Sequence, residues 1–181
     1  DVHCVVVDEG FWQMPDGRNI EAFKYSSTRT DSKGRWTGEQ QSYANTYTYP
    51  VVLGQVMSSN DERWSTFWSR GIDRTQPPNA TSFWTGKHVG DDFDNRERSN
   101  ETVGYIVIET AHAVFGITNE IETSLGNRFV RGVVNDDTSV IRFNTTFSET
   151  PDIAVVCQTA MVGNDGTWAV LGSIRGRSTM E

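Results

Sequence analysis

The chain has 181 residues, a hydrophobic content of 36%, an aromatic content of 11% and a formal net charge of −8. This composition is typical of a folded, aromatic-rich protein. The Lys and Arg residues are scattered among acids, which argues against nucleic acid or an anionic membrane surface as a partner. No apolar run is long enough to cross a bilayer, so membrane insertion is not expected.

The predicted strands are short, rich in β-branched or aromatic residues, and bounded by Gly, Pro, Asn or Asp. In chain order they cover residues 4–7, 51–57, 64–68, 104–109, 140–143, 153–159 and 167–171. A helical turn is considered only for residues 117–125. Two long polar connections, residues 26–41 and 71–100, are predicted as loops. The pattern favours an all-β chain of antiparallel sandwiches.

The first and last thirds of the chain share one pattern, offset by roughly a hundred residues, which indicates an internal repeat. The first copy reads Tyr43, Tyr47, Pro50, Gln55, Met57, Asn60, Asp61 and Trp64. The second reads Phe143, Phe147, Pro151, Gln158, Met161, Asn164, Asp165 and Trp168. The segments 51–68 and 153–171 are accordingly predicted to form equivalent hairpins.

Residues 4–9 resemble residues 105–109 at the same spacing, which sets the phase of the repeat. We predict that residues 1–10 are the closing strand of a unit. Residues 11–110 form a complete first sandwich, and residues 111–181 form a second one that lacks its own last strand. The N-terminal strand or a neighbouring chain is expected to complete the second unit.

The two cysteines, Cys4 and Cys157, both lie in strand-like apolar runs. One interpretation is a pair of buried free thiols. The alternative is a Cys4–Cys157 disulfide, within one chain or between chains, which suits a secreted protein. Such a bridge would join the N-terminal strand to the second unit.

Three sequons of the Asn-x-Ser/Thr type begin at Asn79, Asn100 and Asn144. Together they favour a secreted, extracellular glycoprotein.

The run from Pro50 to Asp61, the segment Gly86-Lys-His-Val-Gly90 and the closing strand Gly104-Tyr-Ile-Val-Ile-Glu109 carry a family resemblance. The chain resembles a repeat module of large secreted multidomain proteins of marine organisms. The pattern of Phe143, Phe147 and Pro151 is also faintly similar to the first strands of H-type lectins. That resemblance implies six-stranded antiparallel sandwiches that bind amino sugars and galactosides, without implying catalysis or identifying a sugar-contacting residue.

Few residues form a pattern with a recognisable chemistry. The three histidines, His3, His88 and His112, share no metal-ligand spacing, so a zinc site is not expected. The run Asp91, Asp92 and Asp94 is either a solvated acidic loop or a weak calcium site, and no other cofactor is predicted.

Aromatic residues are the main candidates for ligand contact. Trp64 and Trp168 are expected to be shared core, whereas Trp68, Phe83 and Trp84 are candidates for binding a glycan or a neighbouring protein. The polar pairs Asn60–Asp61 and Asn164–Asp165 are either turn-forming residues or ligand-binding ones.

The leading functional hypothesis is a non-catalytic extracellular structural or adhesive module, one link of a repeat array or filament. Its expected partners are copies of itself or other extracellular proteins. The alternative is a carbohydrate-binding, lectin-like module. A glycoside hydrolase, which needs only two suitably placed carboxylates, is the least favoured hypothesis.

Overall fold

The computed structural model describes residues 2–92, 98–115, 119–123, 140–157 and 171–180 of the chain. These residues form strands, turns and loops, and none of them lies in a helix. In chain order the strands are β1 (Gly10–Gln13), β2 (Asn19–Ser27), β3 (Thr30–Asp31), β4 (Glu39–Ser42), β5 (Pro50–Val56), β6 (Thr66–Arg70), β7 (Ser82–His88), β8 (Glu101–Glu109), β9 (Ala111–Phe115), β10 (Asn119–Thr123), β11 (Ile141–Arg142), β12 (Ile174–Arg175) and β13 (Thr179–Met180). The prediction of an all-β chain is therefore confirmed.

The first sheet contains β1, β2, β8 and β5 in that order, and every neighbouring pair is antiparallel. Its two central strands, β2 and β8, are each nine residues long. β8 contains the β-branched and aromatic run that predicted it, because such side chains pack well on a pleated, half-buried surface.

The second sheet is built around β7. β6 pairs with β7 antiparallel along one edge. The other edge is shared by β4, which is antiparallel, and by the short β3, which is parallel. β7 is therefore a central strand, flanked on both sides.

One hydrophobic core lies between the two sheets. β5 and β8 of the first sheet and β6 and β7 of the second contribute side chains to it. Its buried members are Tyr47, Val52, Phe67, Phe83, Val103, Tyr105 and Val107. Burying a Val or Phe side chain fully is worth about 1.5–3 kcal/mol. This cluster therefore holds the two sheets of the first unit together as a sandwich.

The second unit repeats the register of the first. In the β1–β2 hairpin Gly10 lies opposite Ala22, and in the β9–β10 hairpin Ala111 lies opposite Thr123. Both residue numbers rise by 101 (10 to 111 and 22 to 123). The other three residue pairs of β1 and β2 match pairs of β9 and β10 in the same way. The internal repeat therefore exists in the pairing of the strands as well as in the sequence.

The pairing of β11 with β13 matches the pairing of β4 with β7. Ser42 lies opposite Ser82, and Arg142 lies opposite Thr179. The loops that follow are also held alike. Tyr43 N–H donates to Thr81 O at 3.1 Å and Phe143 N–H to Ser178 O at 2.9 Å.

Several sequence-based predictions of secondary structure are wrong. Residues 119–123 form β10, and the helical turn considered for residues 117–125 is not found there. Glu120 and Glu122 share one face of this strand, where they accept the backbone N–H groups of the loop at residues 144–148. The segment 51–68 is not a hairpin, because β5 pairs with β8 and β6 pairs with β7 in a different sheet.

The two predicted long loops also contain strands, β3 and β4 in the first and β7 in the second. Because β7 contains the polar residues Thr85, Lys87 and His88, its sequence lacks the apolar pattern that predicts a strand. Residues 4–7 and the described part of the predicted strand 153–159 do not form strands. The predicted strand at residues 167–171 lies almost wholly outside the described residues.

Candidate functional site

A buried glutamate holds the loop that follows β4. The carboxylate of Glu21 accepts hydrogen bonds from the backbone N–H groups of Ala44 at 3.0 Å and Asn45 at 3.1 Å. Hydrogen bonds to a charged group contribute about 1.5–3 kcal/mol each. In the same loop the rings of Tyr43 and Tyr47 meet edge-on, with centroids 5.2 Å apart. Burial, and then the charge of Glu21, raises the pKa of both tyrosines.

The second unit contains the same arrangement. Glu122 occupies the position of Glu21 in its hairpin and accepts hydrogen bonds from the N–H groups of Asn144 at 2.9 Å and Thr145 at 3.0 Å. The rings of Phe143 and Phe147 meet edge-on at 5.1 Å. We call this combination of a strand glutamate and two loop amides the glutamate clamp. It is a feature of the repeated unit rather than of one copy.

The predicted binding pair Asn60 and Asp61 lies at a third carboxylate. The N–H groups of both residues donate to Glu101, at 3.1 and 2.8 Å. Arg63 hydrogen-bonds to the carboxylate of Asp61 and forms an ion pair with it, which lowers the pKa of that carboxyl group. Both residues are thus engaged in holding the turn, as one of the two sequence interpretations expects. Asn164 and Asp165 lie outside the described residues.

A buried lysine lies beside this turn. The Lys87 ammonium donates to the backbone carbonyl of Ser99 at 3.0 Å, and burial lowers its pKa. Glu101 is subject to opposing effects. Burial raises its pKa, but hydrogen bonds from Ser58 and from the turn, together with the charge of Lys87, outweigh burial and lower it. A buried network of polar groups therefore lies at the end of the sandwich where β8 begins.

Trp68 is covered by the segment between β3 and β4. Trp36 on that segment meets Trp68 edge-on at 5.4 Å and stacks on the imidazole of His88 at 3.8 Å. His88 Nδ1 accepts the Gly90 N–H at 2.9 Å, and His88 Nε2 lies 3.1 Å from Lys33 O. These partners require one protonated and one free ring nitrogen, which is neutral imidazole. Burial lowers the pKa of His88, in agreement with this state.

Arg70 fastens the same segment to the second sheet. Its guanidinium donates to the backbone carbonyl groups of Trp36, Thr37, Gly71 and Ile72 at 2.8–3.0 Å. It also lies 5.2 Å from the ring centroid of Trp84, within the range of a cation–π interaction. Trp84 is half-buried, so part of its indole ring remains accessible beside Arg70.

Two of the predicted ligand-contacting aromatics are in the interior. Trp68 and Phe83 have no exposed surface; Phe83 belongs to the core, and Trp68 lies under Trp36. The prediction that they form a surface platform is wrong, because residues far along the chain cover them. Trp84 is the remaining aromatic candidate. Trp64, expected in the core, is 56% exposed, and Trp168 lies outside the described residues.

The acidic run does not assemble a metal site among the described residues. Asp91 and Asp92 are exposed, and Asp92 accepts a hydrogen bond from Arg98 at 2.8 Å. A guanidinium at this distance competes with a cation for the carboxylate. No group of three metal-ligating side chains is found in the described part of the chain. Asp94, the third predicted calcium ligand, lies outside it.

Both cysteines are free thiols, so the predicted Cys4–Cys157 disulfide is not formed in this structure. Cys4 is exposed. The thiol of Cys157 is partly buried between the units: its Sγ lies 3.3 Å from Gly54 N and 3.4 Å from Gly54 O on β5. Burial raises the pKa of the Cys157 thiol.

The asparagines of the three predicted glycosylation sites, Asn79, Asn100 and Asn144, are all exposed. The side-chain Oδ1 of Asn79 accepts hydrogen bonds from the N–H groups of Thr81 and Ser82, both at 2.9 Å. The sequons therefore lie on the surface, as glycosylation requires.

Sequence reasoning missed Glu21, Glu122, Trp36 and Arg70. The repeat itself contained a signal for the two glutamates, because they are spaced as the matching hairpin residues are. Trp36 and Arg70 gave no such signal, since their roles depend on contacts between segments distant in the chain.

Comparison of the chain with protein-family models, curated proteins and solved structures finds no match. Among the described residues there is no helix of the length and apolarity that a membrane span needs.

Proposed function

We propose that the chain is a non-catalytic, extracellular structural or adhesive module that forms one link of a repeat array or filament. In this proposal residues 11–110 and 111–181 are two tandem sandwiches of the H-type-lectin kind. The observation that carries it is the repeated hairpin with its glutamate clamp. Because both copies keep the same strand register and the same internal hydrogen bonds, the unit is suited to repetition in an array.

The connection between the units supports a mechanical role. Thr110 alone separates β8 from β9, and its N–H donates to Tyr49 O at 2.9 Å. The Arg18 guanidinium donates to Glu109 O at 3.3 Å and to Thr123 Oγ1 at 2.8 Å. Thr123 Oγ1 also donates to Glu109 O at 2.7 Å. One arginine thus bridges the two units, and a junction held in this way transmits force instead of acting as a flexible tether.

Single-molecule pulling on concatenated copies, under reducing conditions, tests this proposal. We expect the wild type to resist extension at the junction, and Arg18→Ala to lower the force at which the two units separate. Arg29→Ala, which removes an exposed arginine of the first unit, is the control and should leave that force unchanged. Units that extend freely about the junction in the wild type would contradict a load-bearing role.

Extracellular location and glycosylation are part of the proposal, and the exposure of the three sequon asparagines supports them. Secretion from a eukaryotic host followed by enzymatic removal of N-glycans should lower the apparent mass. Replacing each sequon asparagine in turn by Gln should remove one step of that shift.

A carbohydrate-binding module is the second candidate, and the Trp84–Arg70 pair favours it. A half-exposed indole gives a sugar ring an apolar face, and the buried Arg70 guanidinium, which is held by four backbone carbonyl groups, positions this indole through a cation–π contact. Glycan-array binding should be lost in Trp84→Ala and kept in Trp64→Ala, because Trp64 is also exposed but precedes β6, whereas Trp84 lies opposite Arg70 at the other end of that strand. Wild-type silence toward galactosides, amino sugars and algal polysaccharides would eliminate this candidate.

A further inference from the structure

The N-terminal segment has the sequence of a closing strand but no strand partner. Residues 4–8 correspond to residues 105–109 of β8. Residues 2–8 contain no turn and form no ladder with the rest of the described chain. Cys4 is exposed and Val6 is 88% exposed, whereas their β8 counterparts Tyr105 and Val107 are buried. The segment therefore presents an apolar face that the corresponding strand buries.

Residues 153–157 correspond to β5, the strand that pairs with β8 in the first unit. In the sequence repeat Gln158 matches Gln55, so Cys157 matches Gly54 and Val155 matches Val52. Gly54 and Val52 belong to β5, which pairs with β8 in the first unit. Residues 153–157 form no ladder with the rest of the described chain, and Ile153 is 61% exposed.

The register of the first unit shows how these two segments fit. Gly54 lies opposite Tyr105, and Val52 lies opposite Val107. The N–H and carbonyl groups of Gly54 point to Cys157 rather than to β8. Gly54 and Tyr105 are therefore a non-hydrogen-bonded pair, whose Cα atoms lie about 4.5 Å apart in antiparallel sheets. Carrying this register to the second unit places Cys157 opposite Cys4, at a separation that a disulfide spans.

We propose that residues 4–8 of one copy pair antiparallel with residues 153–157 of a second copy, and that a disulfide between Cys4 and Cys157 locks this joint. The inference rests on the proposed function as a link and names its partner, a second copy of this chain. Two segments that form no ladder within one chain would then pair with each other, as a peptide does in recognition by strand addition.

The reach of the chain selects a second copy over the same one. His3 Nδ1 accepts the N–H of Ala154 at 3.0 Å within one chain. The transferred register instead places Val7 opposite Ala154, because Ile108 lies opposite Val51. Gly10 is held in β1 by its pairing with Ala22. Gly10 on β1 is three strands away from β5, about 14 Å at the usual strand spacing, and the Cys157 thiol lies at the outer edge of β5. The three residue steps from Val7 to Gly10 span at most about 10 Å, whereas the seven from His3 span about 23 Å when extended.

The bond forms by thiol–disulfide exchange with a small-molecule disulfide such as oxidised glutathione. The thiolate of Cys4 attacks this disulfide, forms a mixed disulfide and releases one glutathione thiolate, which is protonated. The Cys157 thiolate of the second copy then displaces the other glutathione. Two protein thiols are oxidised by two electrons, and one oxidised glutathione is reduced to two thiols.

The test mixes unlabelled and ¹⁵N-labelled full chains with oxidised glutathione and analyses them on non-reducing gels and by peptide mass spectrometry. We expect a ladder of species that collapses on reduction, and Cys4–Cys157 peptides of mixed isotope content. Cys4→Ser and Cys157→Ser should each stay monomeric alone. Mixed together, they should give a dimer that goes no further, because each chain then has one thiol.

A shifted cysteine pair tests the register. In a chain that also has Cys4→Ser and Cys157→Ser, the substitutions Val6→Cys and Val155→Cys should restore the ladder, since these positions lie opposite each other in the transferred register. Val6→Cys in a Cys4→Ser chain that keeps Cys157 should cross-link at least tenfold more slowly than the wild type.

A compact oxidised monomer with both cysteines bridged, or Cys4–Cys4 dimers as the main product, would overturn the inference. Sedimentation of the reduced chain separates this result from failure of the proposed function. If the reduced chains associate but do not cross-link on oxidation, the proposed array stands and the disulfide joint is excluded. A reduced chain that is monomeric at all concentrations, with no cross-link on oxidation and free extension at the junction, would remove both.

Discussion

The glutamate clamp gives the sharpest prediction about stability. Glu21 is fully buried, and its carboxylate accepts the two backbone N–H bonds that hold the loop after β4. In Glu21→Gln the amide oxygen can take the place of Oε2, which accepts both backbone N–H groups, while the NH₂ replaces Oε1 and faces the Ala44 N–H. Two charge-assisted hydrogen bonds become neutral ones, at a loss of roughly 1 kcal/mol each, and a buried NH₂ lacks an acceptor, so the total cost should be about 2–3 kcal/mol.

Hydrogen exchange of the two loop amides locates this effect. A loss of about 2–3 kcal/mol at the loop should speed exchange at Ala44 and Asn45 by about 30- to 140-fold, since 1.4 kcal/mol corresponds to a factor of ten. Denaturant unfolding should report the loss of global stability. Glu62→Gln, which changes an exposed carboxylate, is the control and should alter stability by less than about 0.5 kcal/mol.

The repeat supplies a second, independent test. Glu122→Gln should speed exchange at Asn144 and Thr145 in the same way, because the hydrogen bonds are equivalent. The reasoning would be refuted if Glu21→Gln lowered stability but left the exchange of Ala44 and Asn45 unchanged. The carboxylate would then act elsewhere than at the loop.

Two further predictions concern the interior of the first unit. Burial lowers the pKa of His88 below its ordinary 6.5, so on acidification the unfolded chain takes up this proton first. Wild-type stability should therefore fall more steeply below about pH 6.5 than that of His88→Phe, by up to about 1.4 kcal/mol per pH unit; parallel slopes in denaturant titrations would contradict this. Gly54→Ala should cost at least about 1–3 kcal/mol, because its Cβ would lie 2.5 Å from the Phe67 ring. Gly86→Ala is the matched control, because a Cβ at Gly86 would have its nearest neighbours at 3.4 Å. Equal melting temperatures for the two variants would contradict this explanation.

Two of the four strands of the first sheet could be predicted from the sequence, because local patterns determine them, whereas β1 and β2 are absent from the predicted strands. β5 and β8 are runs of β-branched and aromatic residues, and such runs are legible without knowledge of their partners. β7 could not be read in this way. Its Lys87 is a poor strand residue by composition, and it is accommodated by the Ser99 carbonyl and by Glu101, which lie just before and at the start of β8 in the other sheet.

The aromatic candidates show the same division. Alternation along the strand correctly separates Phe67 from Trp68, and the structure assigns the former to the core between the sheets. It could not show that Trp36 covers the other face, because that contact depends on a segment held by Arg70 from a different strand. Whether an aromatic face is exposed depends on tertiary contacts. The sequence could therefore not show that Trp68 is covered while Trp84 stays partly accessible.

The closing strand β8 also holds the loop that follows β4, through Glu109. Hydrogen exchange in the matching loop of the second unit can therefore report whether the proposed joint between copies forms. In the first unit Glu109 at the end of β8 accepts the N–H groups of Thr48 at 2.7 Å and Tyr49 at 2.6 Å. In the second unit Glu120 of the hairpin takes the matching Ser148 N–H instead. The transferred register gives Asp8 the position of Glu109.

If residues 4–8 of a second copy dock there, Asp8 adds an acceptor for the amides after Phe147, and exchange at Ser148 and Glu149 should slow on association. Asp8→Ala should still form the Cys4–Cys157 cross-link but should not show this protection. Equal protection in both proteins would mean that the docked strand does not take the place of β8. The conserved position of a carboxylate at the end of the closing strand is thus a direct test of whether one copy completes the next.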